Sequence, residues 1–417
     1  MPSGIIFVAK KTNHKKIQNY FVKKKIDLVI LSGGKGRKIK SFLNNRPKPM
    51  VSFNKINFLQ YLLNLYSKYN FKKIYILTGY KSKFIISKYH KKRINFSLVE
   101  CIKEKKKLDT GGILSLLPKT INDFVLVNGD SLLDINLDDL ILMCKKNYLG
   151  VITLIPNKNY KTNKKLNCLR LNSKKEINFS KSSPLTNGGV YFFKKKILLK
   201  IKKKFISLEN EILKDLIKKK KLLGKKYNNF FLDVVASKNH NLAAKQLKKY
   251  FKRPAAFLDR DGVINHDYGY VHKINNFKFR PGVLKGLKYL QEKNYYIFII
   301  TNQSGVAKKK FTLPDFYKLN EKLKKKIGLL KIYLDDIQYC LYHPQSKILK
   351  YKKKSNFRKP GNLMIKKLCK NWLIDLKQSF MIGDSQVDKL CAKKSNLYFE
   401  YSKTNFYNQV YKIINKI

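Results

Sequence analysis

Four small or apolar residues, Ala255-Ala256-Phe257-Leu258, run directly into Asp259-Arg260-Asp261-Gly262. No other stretch restricts the fold as strongly. A short, wholly apolar run reads as a buried strand. Alternation along an extended chain then puts Asp259 and Asp261 on one side at its carboxyl end. Open α/β sheets keep their chemistry at that edge. Two carboxylates so close repel each other, and a hard cation such as Mg²⁺ relieves the repulsion. Read blandly, the same residues are a strand ending in a solvated acidic turn. The segments that follow decide between the two.

Arg280-Pro281-Gly282-Val283 starts a helix that runs to about Lys293, with proline near its first turn. Residues 296–300 are an apolar strand ending in Thr301-Asn302-Gln303-Ser304-Gly305. Hydroxyl and amide groups in that position can donate to phosphoryl oxygens. Arg358-Lys359-Pro360-Gly361 places two cations ahead of a helix. Residues 379–382 are a strand ending in Gly383-Asp384, with Asp388 four residues on.

Strand ends carrying DxD, threonine, lysine and aspartate in this order resemble the haloacid-dehalogenase superfamily of phosphatases over residues 255–417. The resemblance implies that Asp259 is a nucleophile forming an aspartyl-phosphate, with Asp261 as general acid and then base. It implies Mg²⁺ between Asp259, the backbone carbonyl of Asp261, and Asp384, with Thr301 on the phosphoryl group and Lys359 neutralising charge. The stretches DRDGVINHDYGYVH, TNQSGVAKKKFT and FRKPG are very similar to the D-glycero-D-manno-heptose 1,7-bisphosphate 7-phosphatases. By that likeness Asn302, Lys308 and Arg358 bind substrate. Relatives of this kind often carry a structural zinc on a Cys-x-His…Cys-x-Cys loop. Here the loop reads Cys340-Leu341-Tyr342-His343 and Ser355-Asn356-Phe357. Cys340 alone matches and His343 is one residue off, so no zinc is expected. Without such a staple residues 340–357 are expected to be looser, and the lysine-rich run at 347–354 fits a mobile loop.

The other half repeats the logic with different residues. Residues 27–32 read as a buried strand feeding Gly33-Gly34-Lys35-Gly36-Arg37-Lys38, a glycine-rich basic loop of the kind that brings backbone N–H groups to phosphates. Arg46-Pro47-Lys48-Pro49-Met50 is a rigid turn presenting one lysine. Helical stretches at 58–69 and near 83–89 alternate with strands at 73–78 and 124–127, and Thr110-Gly111-Gly112 opens another helix. Such alternation implies a mostly parallel sheet covered by helices on both faces.

The ordered set GGKG, RPKPM, TGG, VNGD, NGGVYFF, SLENEIL and FLDV resembles the sugar-1-phosphate nucleotidyltransferases over residues 27–248. The short stretch between the glycine loop and PKPM is most similar to the D-glycero-D-manno-heptose 1-phosphate guanylyltransferases. The resemblance implies that Gly33, Gly34, Gly36 and Gly112 hold a nucleotide and that Lys48 contacts phosphate. Asp130 and Asp233 would hold a catalytic Mg²⁺, Lys181 the sugar phosphate, and Asn187 and Glu209 the sugar hydroxyls. Lys38 stands where a catalytic arginine is expected, Asp109 replaces a glycine, Ser180 a glutamate, and Val235-Ala236 a Gly-Thr pair.

Across 417 residues the formal charge is +65, yet lysines occur in every segment. No motif for specific nucleic-acid binding is present, and the field would attract anionic small substrates. No apolar run is long enough to span a bilayer. Six scattered cysteines suit a reducing cytoplasm. The oligomeric state is not readable.

The expected organisation is a basic extension at 1–26, a nucleotidyltransferase-like domain at 27–248, a junction at 249–254 and a haloacid-dehalogenase-like phosphatase at 255–417. Both domains would be doubly wound α/β, the first a Rossmann-like nucleotide-binding sheet and the second a Rossmannoid sheet. The two resemblances together imply a bifunctional, Mg²⁺-dependent enzyme. It would remove the 7-phosphate of a heptose bisphosphate and then join the heptose 1-phosphate to a nucleoside triphosphate, GTP by the likeness. The departures at Lys38, Asp109 and Ser180 keep a second reading open, in which the transferase-like half only binds a ligand or partner.

Overall fold

An apolar run buried on both faces belongs at the centre of a parallel sheet. Ile26–Ser32 occupies such a place: the computed structural model pairs it in parallel with Lys73–Thr78 on one side and Asp123–Asn128 on the other. The structure describes residues 25–34, 43, 45–156, 168–180, 183–202, 204–234 and 239–417. Asp27 shows how the centre is fixed. Its buried carboxylate accepts the backbone N–H groups of Lys73 and Asn122, tying the starts of the three strands together. Ser97–Lys103 extends the parallel series. Beyond Asp123–Asn128 the order becomes antiparallel, through Leu185–Phe193 and Gly150–Pro156. The first sheet is therefore mixed around a parallel centre, with ten strands among the described residues.

The second sheet has five strands, all parallel, in the order Asp336–Cys340, Tyr296–Asn302, Ala255–Leu258, Phe380–Gly383, Tyr398–Tyr401. Ala255–Leu258 is its central strand, and all four residues are fully buried. The chain first adds strands on one side of it and then crosses to the other. The loops after Leu258 and Gly383 therefore diverge and leave a crevice at the carboxyl edge. Between the two sheets, helix His240–Phe251 extends through Tyr250 and Phe251, which sequence reading placed in the junction. Phe251 is buried in the first core, so the extended link is residues 252–254. None of the six cysteines forms a disulfide, and no described helix is long and apolar enough to cross a membrane.

The two halves meet over a bonded interface. Asn64 donates to the carbonyl of Asn371, and Tyr333 donates its hydroxyl to Asp138. Lys324, 4% exposed on helix Leu313–Gly328, donates to the carbonyls of Ser67 and Asn95 in the other half. Burial pushes its ammonium down to about 7, with Asp336 and Glu321 opposing the shift. The folded state thus holds this proton less tightly than the unfolded chain does. Stability is held back below pH 7 and recovered as pH rises from 7 towards 10.5, by about 1.4 kcal/mol per unit of separation. Lys324→Met removes that penalty but leaves the Asn95 carbonyl without its donor, at a cost of about 1–3 kcal/mol. The variant should be more stable than the unmutated chain at pH 6 and less stable at pH 10, read by urea denaturation. Equal differences at the two pH values would contradict this account of Lys324.

Candidate active sites

The strand Ala255–Leu258 ends one residue before Asp259, so alternation does not continue to Asp261. Asp261 nonetheless stays close enough to add to the rise of the Asp259 carboxyl. Asp259 also shares its place with Asp384 and Asp388, each offering an oxygen within 4.8 Å of the others. Asp384 arrives from the end of Phe380–Gly383, and Gly262 makes room for it. A Cβ on Gly262, at φ +77°, would lie 1.8 Å from Asp384 Oδ2. Asp388, which sequence reading noted but gave no role, is the third residue of helix Gln386–Lys393. Its spacing from Asp384, one helical turn, was the available signal.

Lys359 binds the group together. Its Nζ lies 2.9 Å from Asp259 Oδ1 and 2.5 Å from Asp388 Oδ1, and only 2% of the residue is exposed. Burial opposes its charge, but the two carboxylates raise it above its ordinary value. Asp388 Oδ2 accepts from Ser385 N and Oγ, so both of its oxygens are engaged and it positions Lys359. Asp259 Oδ1 also accepts from the backbone of Arg260, which leaves Oδ2 to face substrate. Burial pushes Asp259 up to about 7; Lys359 resists the shift and Asp388 adds to it. Burial and Asp388 likewise raise Asp384. Three carboxylates against one ammonium leave an uncompensated negative charge in a low-dielectric crevice. A divalent cation with oxygen preference fits that deficit.

Asp261 faces a different set. Arg260 Nη2 reaches both of its oxygens at 2.8 and 2.7 Å, Asn265 Nδ2 donates at 3.0 Å and Gln303 Nε2 at 2.9 Å. Gln303 also donates to Thr301 Oγ1, which leaves the threonine proton for a phosphoryl oxygen. Arg260, Asn265 and Gln303 lie inside the stretches that carried the resemblance, but only the fold shows what they hold. Asn302 was expected on substrate, but both ends of its amide are engaged by the Lys359 backbone, at 3.1 and 3.0 Å. It positions the lysine loop. Arg358 keeps a buried Nη1 without a partner, and Lys308 lies 5.9 Å from the Tyr270 ring. In the loop at 340–357, Ser346 donates to the Ala307 carbonyl and Lys347 N to the same oxygen.

In the first half, Gly33 and Gly34 follow their strand end as expected, and Lys48 lies against Gly34. A Cβ on Gly34 would meet the lysine Cε at 3.3 Å. Lys48 forms an ion pair with Asp130. Asp130 and Asp233 are neighbours on one short ladder, with Val234 N bonded to the Asp130 carbonyl at 2.9 Å and Asp233 opposite Ser131. Asn187 gives its amide to Tyr191 and accepts from Gly189 N; Glu209 accepts from Thr110 Oγ1. Gly112, expected on a nucleotide, is accounted for by packing. Its N–H donates to Ile206 O, and a Cβ there would lie 2.0 Å from the Lys204 carbonyl. Asp109 stands at φ 60°, which explains a glycine preference at that position, and its carboxylate caps Thr110 N. Glu104, which sequence reading missed, places Oε1 over Gly79 and Gly33. Gly36, Lys38 and Lys181 lie outside the described residues.

Residues 28–234 match the family described as Nucleotidyl transferase, and residues 255–411 the family described as Polynucleotide kinase 3 phosphatase. A D-glycero-beta-D-manno-heptose-1,7-bisphosphate 7-phosphatase of Rhodopseudomonas palustris is 39% identical over 146 residues, 35% of this chain and 81% of the relative. The Escherichia coli K12 protein of the same name is 38% identical over 144 residues, 34% of this chain and 75% of the relative. Among solved structures, HddC from Yersinia pseudotuberculosis is 23% identical and covers 53% of this chain and 99% of that one, with a TM-score of 0.46.

Proposed function

We propose a function from one premise: through its C-terminal half the chain belongs to the D-glycero-beta-D-manno-heptose-1,7-bisphosphate 7-phosphatase family, and a nucleotidyl transferase domain precedes that half. The chain is an enzyme with a phosphatase and a nucleotidyltransferase half. Its reaction, in this reading, is removal of the 7-phosphate from a heptose 1,7-bisphosphate, followed by guanylyl transfer to the heptose 1-phosphate. The observation that carries the phosphatase step is the meeting of Asp259, Asp384, Asp388 and Lys359 at the carboxyl edge of one parallel sheet.

Asp259 Oδ2 attacks phosphorus while Lys359 and the Thr301 hydroxyl draw charge from the phosphoryl oxygens. Asp261 gives the departing sugar oxygen its proton and later takes one from the water that opens the aspartyl-phosphate. The donors around Asp261 suit the carboxylate that performs the second step. Asp259, Asp384 and the Asp261 carbonyl would hold Mg²⁺, which supplies further neutralisation of the transferring group. Arg358, with its unpaired buried Nη1, reads a substrate phosphate. The matched family name points to polynucleotide ends, but the full-domain identity of 39% lies with sugar bisphosphatases, and we follow the latter.

In the other half, an oxygen of the sugar phosphate attacks the α-phosphorus of the triphosphate and pyrophosphate leaves. Gly33 and Gly34 offer close backbone approach, Lys48 neutralises charge, and Asp130 and Asp233 would hold Mg²⁺. The guanine assignment rests on the length of the stretch between the glycine loop and Pro47-Lys48-Pro49-Met50. Heptose 1-phosphate offered with each nucleoside triphosphate in turn should release pyrophosphate fastest with GTP. A faster reaction with another base would overturn the guanylyl assignment and leave the phosphatase reading untouched.

A further inference from the structure

The transferase half lends a side chain to the core of the phosphatase half. Strands Arg93–Ile94 and Ser97–Lys103 form a hairpin whose two turn residues, Asn95 and Phe96, have φ of 44° and 73°. Two positive φ values suit Asn-Gly, and a phenylalanine in the second place is strained. The ring is nonetheless 4% exposed and packed within the phosphatase core. It stacks on Tyr339 at 5.9 Å and meets Phe316 edge-on at 5.8 Å. The tip is locked in place from both sides. Asn95 Nδ2 donates to the carbonyls of Leu334 and Asp335, Lys324 donates to the Asn95 carbonyl, and the Arg93 guanidinium lies 4.3 Å from the Tyr317 ring.

Phe316 continues the chain of contacts into the active site. It is fully buried, and its ring centroid lies 5.8 Å from the guanidinium of Arg260. Arg260, also fully buried, holds Asp261 through Nε and Nη2 and donates from Nη2 to the Val271 carbonyl, while its Nη1 has no partner. With Nη1 unpartnered, ring packing helps set the guanidinium plane, and Phe96 backs that ring.

We propose that Phe96 is a positioning residue for the phosphatase, supplied by the transferase half, which keeps Arg260 against Asp261 through Phe316. The proposal rests on Asp261 as the acid and base of the phosphatase reaction.

The test is kcat and KM for phosphate release from heptose 1,7-bisphosphate by the full chain. Phe96→Ala should lower kcat on the order of tenfold or more with KM little changed, since a small misplacement of a catalytic group costs that much. Phe96→Tyr should restore kcat. Tyr333→Phe, which cuts the same interface at Asp138, should leave kcat where it was. If Phe96→Ala does not fold, Phe96→Leu keeps apolar volume without the stacked ring and should show a smaller fall in kcat. An unchanged kcat in the folded Phe96 variants, or an equal fall in Tyr333→Phe, would overturn the proposal. Asp261→Asn in the same assay separates the two claims. If it retains full kcat, the reading of Asp261 fails; if it is inactive while Phe96→Ala is normal, only the positioning role fails.

Discussion

Asp259→Asn should release no phosphate from heptose 1,7-bisphosphate, a loss on the order of a thousandfold or more, while still releasing pyrophosphate from heptose 1-phosphate and GTP. The amide is isosteric but has no charge with which to attack phosphorus or pair with Lys359. Lys359 keeps Asp388, so the site should not collapse. The fold should in fact tolerate the change well. Asp259 is buried, and burial raises its carboxyl from 3.8 to about 7, so it costs stability increasingly as pH rises through that interval and fully above it. The melting temperature of the variant at pH 8 should equal or exceed that of the unmutated chain, as expected where a catalytic group is held at a cost to stability. Full phosphatase activity in the variant would remove Asp259 from the nucleophile's role. A simultaneous loss of pyrophosphate release would contradict chemistry at two separate sheets.

Asp130→Ala should produce the mirror result. Lys48 loses its partner, one of the two carboxylates proposed to hold a cation is gone, and pyrophosphate release should fall on the order of a thousandfold. Phosphate release should be unchanged. Asp130 is bound into its ladder through its backbone carbonyl, which alanine keeps, so the fold should survive. Pyrophosphate release at the unmutated rate would show that Asp130 has no part in the chemistry. If the unmutated chain releases none with any nucleoside triphosphate, the half binds ligand without turnover. The replacements at Lys38 and Ser180 are the sequence grounds for that second reading.

The strands and helices were legible wherever a short-range pattern sets them. Ala255–Leu258, Lys73–Thr78 and Lys83–Tyr89 lie where apolar runs and helical spacing placed them. The helix expected over 58–69 stops at Tyr66, where a tighter Tyr69 N to Tyr66 O bond turns the chain. Asp109 looked like a chemical departure and is better explained by a left-handed backbone position. What could not be read is what depends on distance along the chain. The bonds from Gln303 and Asn265 to Asp261 need the folded loops. The ring of Phe96 inside the other half's core has no periodicity to announce it, because its partners Phe316 and Tyr339 lie more than two hundred residues away. Asp261 lies past the strand end, yet its charge still reaches Asp259, as the two-residue spacing led one to expect.

The central claim is that one chain performs two consecutive steps at two sites. A single time course tests it most directly. The unmutated protein is given heptose 1,7-bisphosphate, Mg²⁺ and GTP, and phosphate and pyrophosphate are followed separately in the same vessel. Phosphate should appear at once and pyrophosphate after a lag, with the lag abolished when heptose 1-phosphate is supplied instead. Pyrophosphate without prior phosphate, or phosphate with no pyrophosphate from either sugar, would contradict the claim.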